Sequence, residues 1–458
     1  MFKRKIMLAL EQWKATAGHS PLLIKGLRQI GKTSIACEFA KTHYGNAFIL
    51  DFRKDPRLAT FFEGDFDVDM IAGFISSLPK QYRLIPDSKL VPNDTVFIFD
   101  EVQDCPNARS SLKYFKLDGR YDVICTGSLL GISGYRLDSS FPRGIGVGFE
   151  THLTMHAMDF EEFAWACSSS GDLLALAKKA WDEKKPVHPF AHDALVKLLR
   201  EYICVGGMPE AVDAYLKGNK DMQAARMTQK KLVDGFKADF GIHLNRQSQI
   251  VYDDLEKGKL MSVFDSIPLQ LSKENKKFMY RLIEGKKGGA ERYGGAIDWL
   301  KGYGLIDLCH NVTNVDLPLL LFEEKSQFKV YFADIGIFTY MLGEEAYTPI
   351  LTGDLSIAKG AVYESLVADA LLKSGRGLHY FAKGDSLEID FLSSFGNKLY
   401  LIEVKAQDGN AKAAKAVLAN PKYHADGILK LSGRNIGVSD RAITAPYYLA
   451  SYIFSRSQ

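Results

Sequence analysis

Residues 21–41 read PLLIKGLRQIGKTSIACEFAK: an apolar strand pattern around Leu22 to Ile24 enters a glycine-bounded loop and leaves as a helix pattern. The spacing Gly26-x-x-x-x-Gly31-Lys32-Thr33 is a Walker A sequence in the strand-loop-helix setting that it requires. Glycine lets the backbone bend so that successive N–H groups and the following helix N-terminus face phosphate oxygens. Gly26, Leu27, Arg28, Gln29, Ile30, Gly31, Lys32, Thr33 and Ser34 are therefore the expected nucleotide-binding residues, with Lys32 on the outer phosphates and Thr33 as a magnesium ligand. ATP and Mg2+ are the expected cofactors, and the expected fold is α/β, built on a parallel P-loop sheet.

Further along, Thr95-Val-Phe-Ile-Phe-Asp100-Glu101 gives the pattern of a buried parallel strand that ends in two carboxylates, as a Walker B motif does. Asp100 is the expected metal-binding residue. Glu101, one position on, is suited to polarise an attacking water; a protein that only binds nucleotide does not need it, so hydrolysis is expected. A third strand pattern, Tyr121 to Ser128, ends in small polar residues. The hydroxyl of Thr126 or Ser128 could hydrogen-bond the γ-phosphate or the lytic water, although Thr-Gly-Ser is also ordinary turn chemistry.

The chain has 458 residues, 47% hydrophobic and 25% charged, enough for several cores. Its 58 basic and 55 acidic residues nearly cancel, so net charge selects no class of partner. No apolar run approaches the roughly 18 residues of a membrane span. The opening MFKRKIMLALEQWK reads as an amphipathic helix, so a cytoplasmic protein without a membrane partner is expected. The six cysteines are scattered, form no C-x-x-C pair, and read as reduced core residues.

On these motifs, residues 1–165 resemble an AAA-superfamily ATPase core of the prokaryotic group with appended C-terminal domains. Leu153-Thr-Met-His-Ala-Met-Asp-Phe-Glu-Glu-Phe163 is similar to the segment that closes that core. The resemblance implies a sensor-1 role for Ser128 or Thr126. It also implies an arginine finger at Arg143, a planar cation that would stabilise phosphoryl transfer across a subunit boundary and make a homo-oligomer an expected assembly. Gly206-Gly207-Met208-Pro209-Glu210 is similar to the glycine-proline signature of the group's helical lid, which implies Pro209 near the adenine.

Residues 166–245 carry a helical pattern that suits a lid. Residues 246–345 offer helix patterns at Leu271 to Leu282 and Ala296 to Tyr303, followed by apolar runs at Leu305 to His310 and Pro318 to Phe322, the outline of a winged helix. Lys276, Lys277, Lys286, Lys287, Arg292 and Lys301 would supply positive charge to DNA, a candidate partner, while Glu274, Glu284, Glu291 and Asp298 dilute it.

In residues 346–458 a helix carrying Glu364 precedes a strand with Asp390, a turn at Phe395-Gly396-Asn397, and the strand Leu399 to Lys405. Alternation puts Glu403 and Lys405 on one face. The order resembles a PD-(D/E)XK nuclease, which implies a divalent metal on Glu364, Asp390 and Glu403 with Lys405 beside the nucleophilic water. It lacks the proline before the aspartate, and a hairpin face with alternating charges remains the plainer alternative. Two functions follow as expectations: an ATP-driven enzyme on nucleic acid, or a nucleotide-state switch with a non-cleaving nuclease-like platform.

Overall fold

The computed structural model of the protein describes residues 1–128, 148–167, 170–244, 250–274, 276–285, 288–354, 359–384, 387–405 and 411–455. The apolar runs around the P-loop become β1 (Leu22–Gly26), β2 (Asn46–Asp51), β3 (Thr95–Asp100), β4 (Asp122–Ser128) and β5 (Thr151–Thr154). They pair in parallel in the order β2-β3-β4-β1-β5. Val96, Phe97, Ile98 and Phe99 of β3 are fully buried, each contributing roughly 1.5–3 kcal/mol of hydrophobic stabilisation.

Both faces of this sheet are covered, which is why its strands read as continuous apolar runs rather than alternating ones. The amphipathic helix expected at the start, Ile6–Ala15, joins the P-loop helix Lys32–His43 in one core through Leu10, Trp13, Ile35 and Phe39. Helices Val68–Ser77 and Pro106–Asp118 lie in the other core with Ile71, Ile75, Leu112 and Phe115. The strand order places β4 between the Walker A strand β1 and the Walker B strand β3, so all three deliver their ends to one edge.

Beyond β5, helix Phe160–Ala166 precedes Ser170–Asp182, Pro189–Val205, Pro209–Lys217 and Met222–Asp239, which lie where the helical pattern was expected. Asp159 and Glu162 close a reciprocal capping box on the first of these. A short hairpin, β6 (Ile242–Leu244) with β7 (Ile250–Tyr252), follows.

The next region departs from expectation in two ways. The helix expected from Leu271 onward instead ends there: it runs Asp254–Leu271, started by Asp253, whose side chain accepts from the Glu256 backbone N–H. The cap, not the lysine-rich stretch after Ser272, fixed its position. Of the hairpin expected to complete a winged helix, Leu305 to His310 becomes β8 (Ile306–Val312), but Leu319–Phe322 is a 3-10 turn and the pairing strand is β9 (Glu323–Phe332). The hairpin is hydrogen-bonded into the sheet of the C-terminal segment. That sheet continues with β10 (His379–Lys383), β11 (Leu387–Phe395), β12 (Lys398–Lys405), β13 (Gly427–Ser432), β14 (Gly437–Ser439) and β15 (Ala442–Pro446). Its order is β14-β15-β13-β12-β11-β10-β8-β9, so one sheet crosses the expected boundary at 345/346. Periodicity identifies a strand, but not the strand that completes its hydrogen bonds.

One buried polar knot ties the parts together. Lys373, on helix Lys359–Lys373, pairs with Asp369 at 2.7 Å and Asp334 at 3.1 Å and donates to Met158 O and the Tyr202 hydroxyl. The Gly207 N–H donates to Asp334 at 2.7 Å, and the Met158 N–H donates to Gly207 O at 2.7 Å. Burial first, and then Asp334, pushes the Asp369 carboxyl up to about 6 against the pull of Lys373. Breaking such a fully satisfied knot at one member would leave a charge stranded. The six cysteines are all unpaired, as expected, and five are buried. Among the described residues no helix is long and apolar enough to cross a membrane.

Candidate functional site

The P-loop leaves β1 at Gly26, where an added Cβ would stand 2.3 Å from Met155 O, too close for any larger residue without backbone movement. It enters the helix through Gly31, whose φ of +90° falls in the left-handed region that favours glycine. Gln29 takes a φ of +64°, a conformation that ordinary residues adopt at some cost and that clusters at functional loops. Leu27 and Ile30 are buried beneath the loop. Arg4 braces it from the N-terminal segment, donating to Ile30 O at 3.2 Å and His156 O at 2.6 Å while pairing with Glu162 at 3.1 Å.

Lys32 lies buried along the loop and donates to Gly26 O and Leu27 O, at 3.2 and 2.9 Å. Desolvation lowers its ammonium to about 8 despite the carboxylates of Glu101 and Asp100. An approaching phosphate would reverse that shift and hold the charge. Thr33, in the first turn of the P-loop helix, donates its hydroxyl to Asp100 Oδ1 at 2.8 Å. The Thr126 hydroxyl donates to the same oxygen. Burial raises the Asp100 carboxyl, and these two hydroxyls oppose the rise. Of the two expected hydroxyls, then, Thr126 touches the Walker B aspartate, while Ser128 sits at the end of β4 directly beside Gly26.

Glu101 follows β3 with a φ of +54°, a second left-handed residue at the strand ends. Arg53 pairs with its Oε2 at 3.0 Å and with Asp104 at 3.0 Å, and Gln103 donates to the same Glu101 oxygen. Arg53 was not singled out in the sequence, because an arginine after a strand usually reads as solvated. Its position just past the end of β2, on the edge where β1, β3 and β4 end, was the available signal. Arg143 lies outside the described residues, as do Lys286 and Lys287. Ser34 continues the P-loop helix. Pro209 opens helix Pro209–Lys217, immediately after the Gly207 contact with Asp334 and Met158.

In the C-terminal sheet the four expected residues come close together, but lysines accompany the carboxylates. Glu364 is buried, pairs with Lys276 and with Lys329 at 3.8 Å, and accepts from the Tyr331 hydroxyl at 3.3 Å. Burial would raise its carboxyl, yet Lys329 and Lys276 outweigh that and hold it low. Glu403 is buried and pairs with Lys405 at 2.6 Å, on the shared face that alternation requires. Its second oxygen is buried without a partner. Asp390 accepts from the Val404 N–H at 2.8 Å, and desolvation followed by Glu364 pushes its carboxyl up to about 7. Among the described residues no group of three or more His, Cys, Asp or Glu is arranged to hold a metal ion. In this arrangement lysines compensate Glu364 and Glu403. Lys276, expected to supply charge to DNA, is instead paired with buried Glu364, and Lys329, which is 1% exposed, was missed because lysines in polar stretches read as surface.

Residues 18–164 match the AAA domain family. Residues 196–348 and 359–448 match two domains of unknown function, DUF8612 and DUF4143. No curated protein matches the chain. Among solved structures the chain is similar to a Walker-type ATPase of Pyrococcus abyssi, at 16% identity over 74% of this chain and 96% of that one, with a TM-score of 0.39. It is also similar to the ORC2 protein of Aeropyrum pernix in its ADP form, at 13% identity over 77% and 92% of the two chains, TM-score 0.28. A third similarity is to AMPPCP-bound DnaA from Aquifex aeolicus, at 14% identity over 66% and 86%, TM-score 0.25. The family match and the Walker geometry fall on the same residues, so the N-terminal segment is similar to the AAA domain family and carries a P-loop.

Proposed function

We propose that the protein is an ATP-hydrolysing nucleotide-state switch whose C-terminal sheet serves as a binding platform rather than a cutting enzyme. One observation carries the first half: Thr33 and Thr126 converge on Asp100 at the mouth of the P-loop, with Glu101 one residue further on. Thr33 and Asp100 fit a hard cation, being oxygen donors already side by side, and bound magnesium would offset the charge of the phosphates. Lys32 reaches the outer phosphates. Glu101 orients and polarises the lytic water once Arg53 and Gln103 release or share it. A subunit-bridging role for Arg143 and a homo-oligomer belong to this reading.

The platform half rests on the lysines that pair with Glu364 and Glu403. A second reading, metal-dependent cleavage of DNA by Asp390, Glu403 and Lys405, is favoured by the raised Asp390 carboxyl and the unpartnered Glu403 oxygen beside it. It would require these residues to exchange internal lysines for a cation.

Two assays test the proposal. Lys32→Ala should abolish tight ATP binding, whereas Glu101→Gln should bind ATP and turn it over at least ~100-fold more slowly, the scale of a lost acid-base group. Normal turnover by the Glu101 variant would overturn its assignment. Magnesium- or manganese-dependent cleavage of single- or double-stranded DNA that vanishes in Lys405→Ala would replace the platform with the second reading.

A further inference from the structure

The P-loop carries an arginine that reaches away from its own domain. Arg28 pairs with Asp239, the last residue of helix Met222–Asp239. The hydroxyl of Tyr303, at the end of helix Ala290–Tyr303, donates to the same Asp239 oxygen, and the Arg28 guanidinium lies 5.8 Å from the Tyr303 ring centroid. A single carboxylate thus joins the phosphate loop to two helices outside the AAA match, both within the segment 196–348. The guanidinium is only partly committed: its Nε is buried without a hydrogen-bond partner. It is also close enough to the phosphate-binding machinery for its charge to act on Lys32 and to feel that of Glu101.

We propose that Arg28 is a positioning residue shared between Asp239 and the nucleotide, an inference that rests on the reading that this P-loop binds ATP. A triphosphate presents more negative charge than one carboxylate and accepts the planar guanidinium bidentately. It therefore competes with Asp239 for Arg28. ATP binding loosens the hold of the P-loop on helices Met222–Asp239 and Ala290–Tyr303, and loss of the nucleotide restores it. Linkage makes the effect reciprocal: whatever ATP does to the latch, the latch does to ATP affinity. A ligand shifts such an equilibrium only by its different affinity for the two states, and Arg28 supplies that difference.

The test is calorimetric titration of the full-length protein with magnesium and a non-hydrolysable ATP analogue, in a cycle of wild type, Asp239→Asn, Arg28→Ala and the double variant. Asp239→Asn should bind the analogue about fivefold or more tightly. The same change in the Arg28→Ala background should leave affinity unaltered. Unchanged or weaker binding by Asp239→Asn, or equal tightening with and without Arg28, would overturn the inference while leaving ATP binding intact. Failure of wild type to bind the analogue any better than Lys32→Ala would instead overturn the nucleotide reading on which it rests. Should Asp239→Asn not fold, amide exchange of the wild type decides. Exchange in the last turns of both helices should quicken when the analogue binds, and unchanged or slower exchange refutes the latch.

Discussion

The two carboxylate clusters look alike in sequence and are compensated in opposite ways. At the N-terminal edge Asp100 is held by the hydroxyls of Thr33 and Thr126, while Lys32 donates to the carbonyls of Gly26 and Leu27. In the C-terminal sheet Glu364 and Glu403 meet the ammonium groups of Lys276, Lys329 and Lys405 directly. Neutral donors satisfy the lone pairs of Asp100 without cancelling its charge, while Arg53 pairs with Glu101, so it is the aspartate that keeps its field for a cation and phosphates. Full ion pairs offset the charge of Glu364 and Glu403 in the second cluster. Residue type and order alone do not distinguish these cases; the partner of each oxygen does.

The largest effect that would break this comparison is on the C-terminal side. Lys329 is 1% exposed and pairs with Glu388 at 2.6 Å as well as with Glu364. Lys329→Met should therefore leave buried Glu364 with Lys276 as its remaining ammonium partner and cost about 3–5 kcal/mol of stability, measurable by denaturant unfolding followed in the C-terminal sheet. A loss under about 1 kcal/mol, the value of an exposed pair, would mean that the lysine is not compensating a buried charge.

A smaller effect sharpens the N-terminal side. Thr126→Val keeps the shape and removes one hydrogen bond to ionised Asp100, a contact worth about 1.5–3 kcal/mol. Because that hydroxyl opposes the rise in the Asp100 carboxyl, removing it should raise the carboxyl further. The acid limb of ATP turnover should move to higher pH. A limb that stays in place would remove Thr126 from the site.

A third test concerns Asp390. Its folded carboxyl titrates near 7, above the ordinary carboxylate value of 3.8, so the folded state binds more protons than the unfolded state between those values. Stability contributed by this group is thus unaffected below about 4, declines as pH rises toward 7, and stays reduced above it. Asp390→Asn should flatten that decline while keeping an acceptor for the Val404 N–H. A stability profile from pH 4 to 7 that is identical in the two proteins would contradict the raised carboxyl.

How much of this was legible depended on whether the chemistry was local. The P-loop from Gly26 to Ser34 and the pair Asp100-Glu101 are contiguous, and a strand that must end at the ligand edge places them without knowledge of the rest. Alternation likewise put Glu403 and Lys405 on one face, where they pair at 2.6 Å. Arg53, Asp239 and Tyr303 act on the N-terminal site only because separate elements end near it, and no spacing in the chain encodes that. Of the expected hairpin, the first strand Ile306–Val312 was legible, whereas the apolar run Pro318 to Phe322 ends in a short 3-10 turn and the partner strand is Glu323–Phe332, whose charges hid it. Membership of the C-terminal sheet depends on the parallel pairing of His379 with His310. The start of helix Asp254–Leu271 was readable from Asp253 and Glu256, whereas lysine-rich residues after Ser272 suggested a later helix.

The contrast between the clusters is tested most directly by titrating manganese into the full-length protein with and without ATP, counting bound ions by electron paramagnetic resonance. The account expects tight binding only when ATP is present, abolished in Asp100→Asn and unchanged in Asp390→Asn. An ion that binds without ATP and disappears in Asp390→Asn would contradict it, because the C-terminal carboxylates would then hold a cation in spite of their lysines.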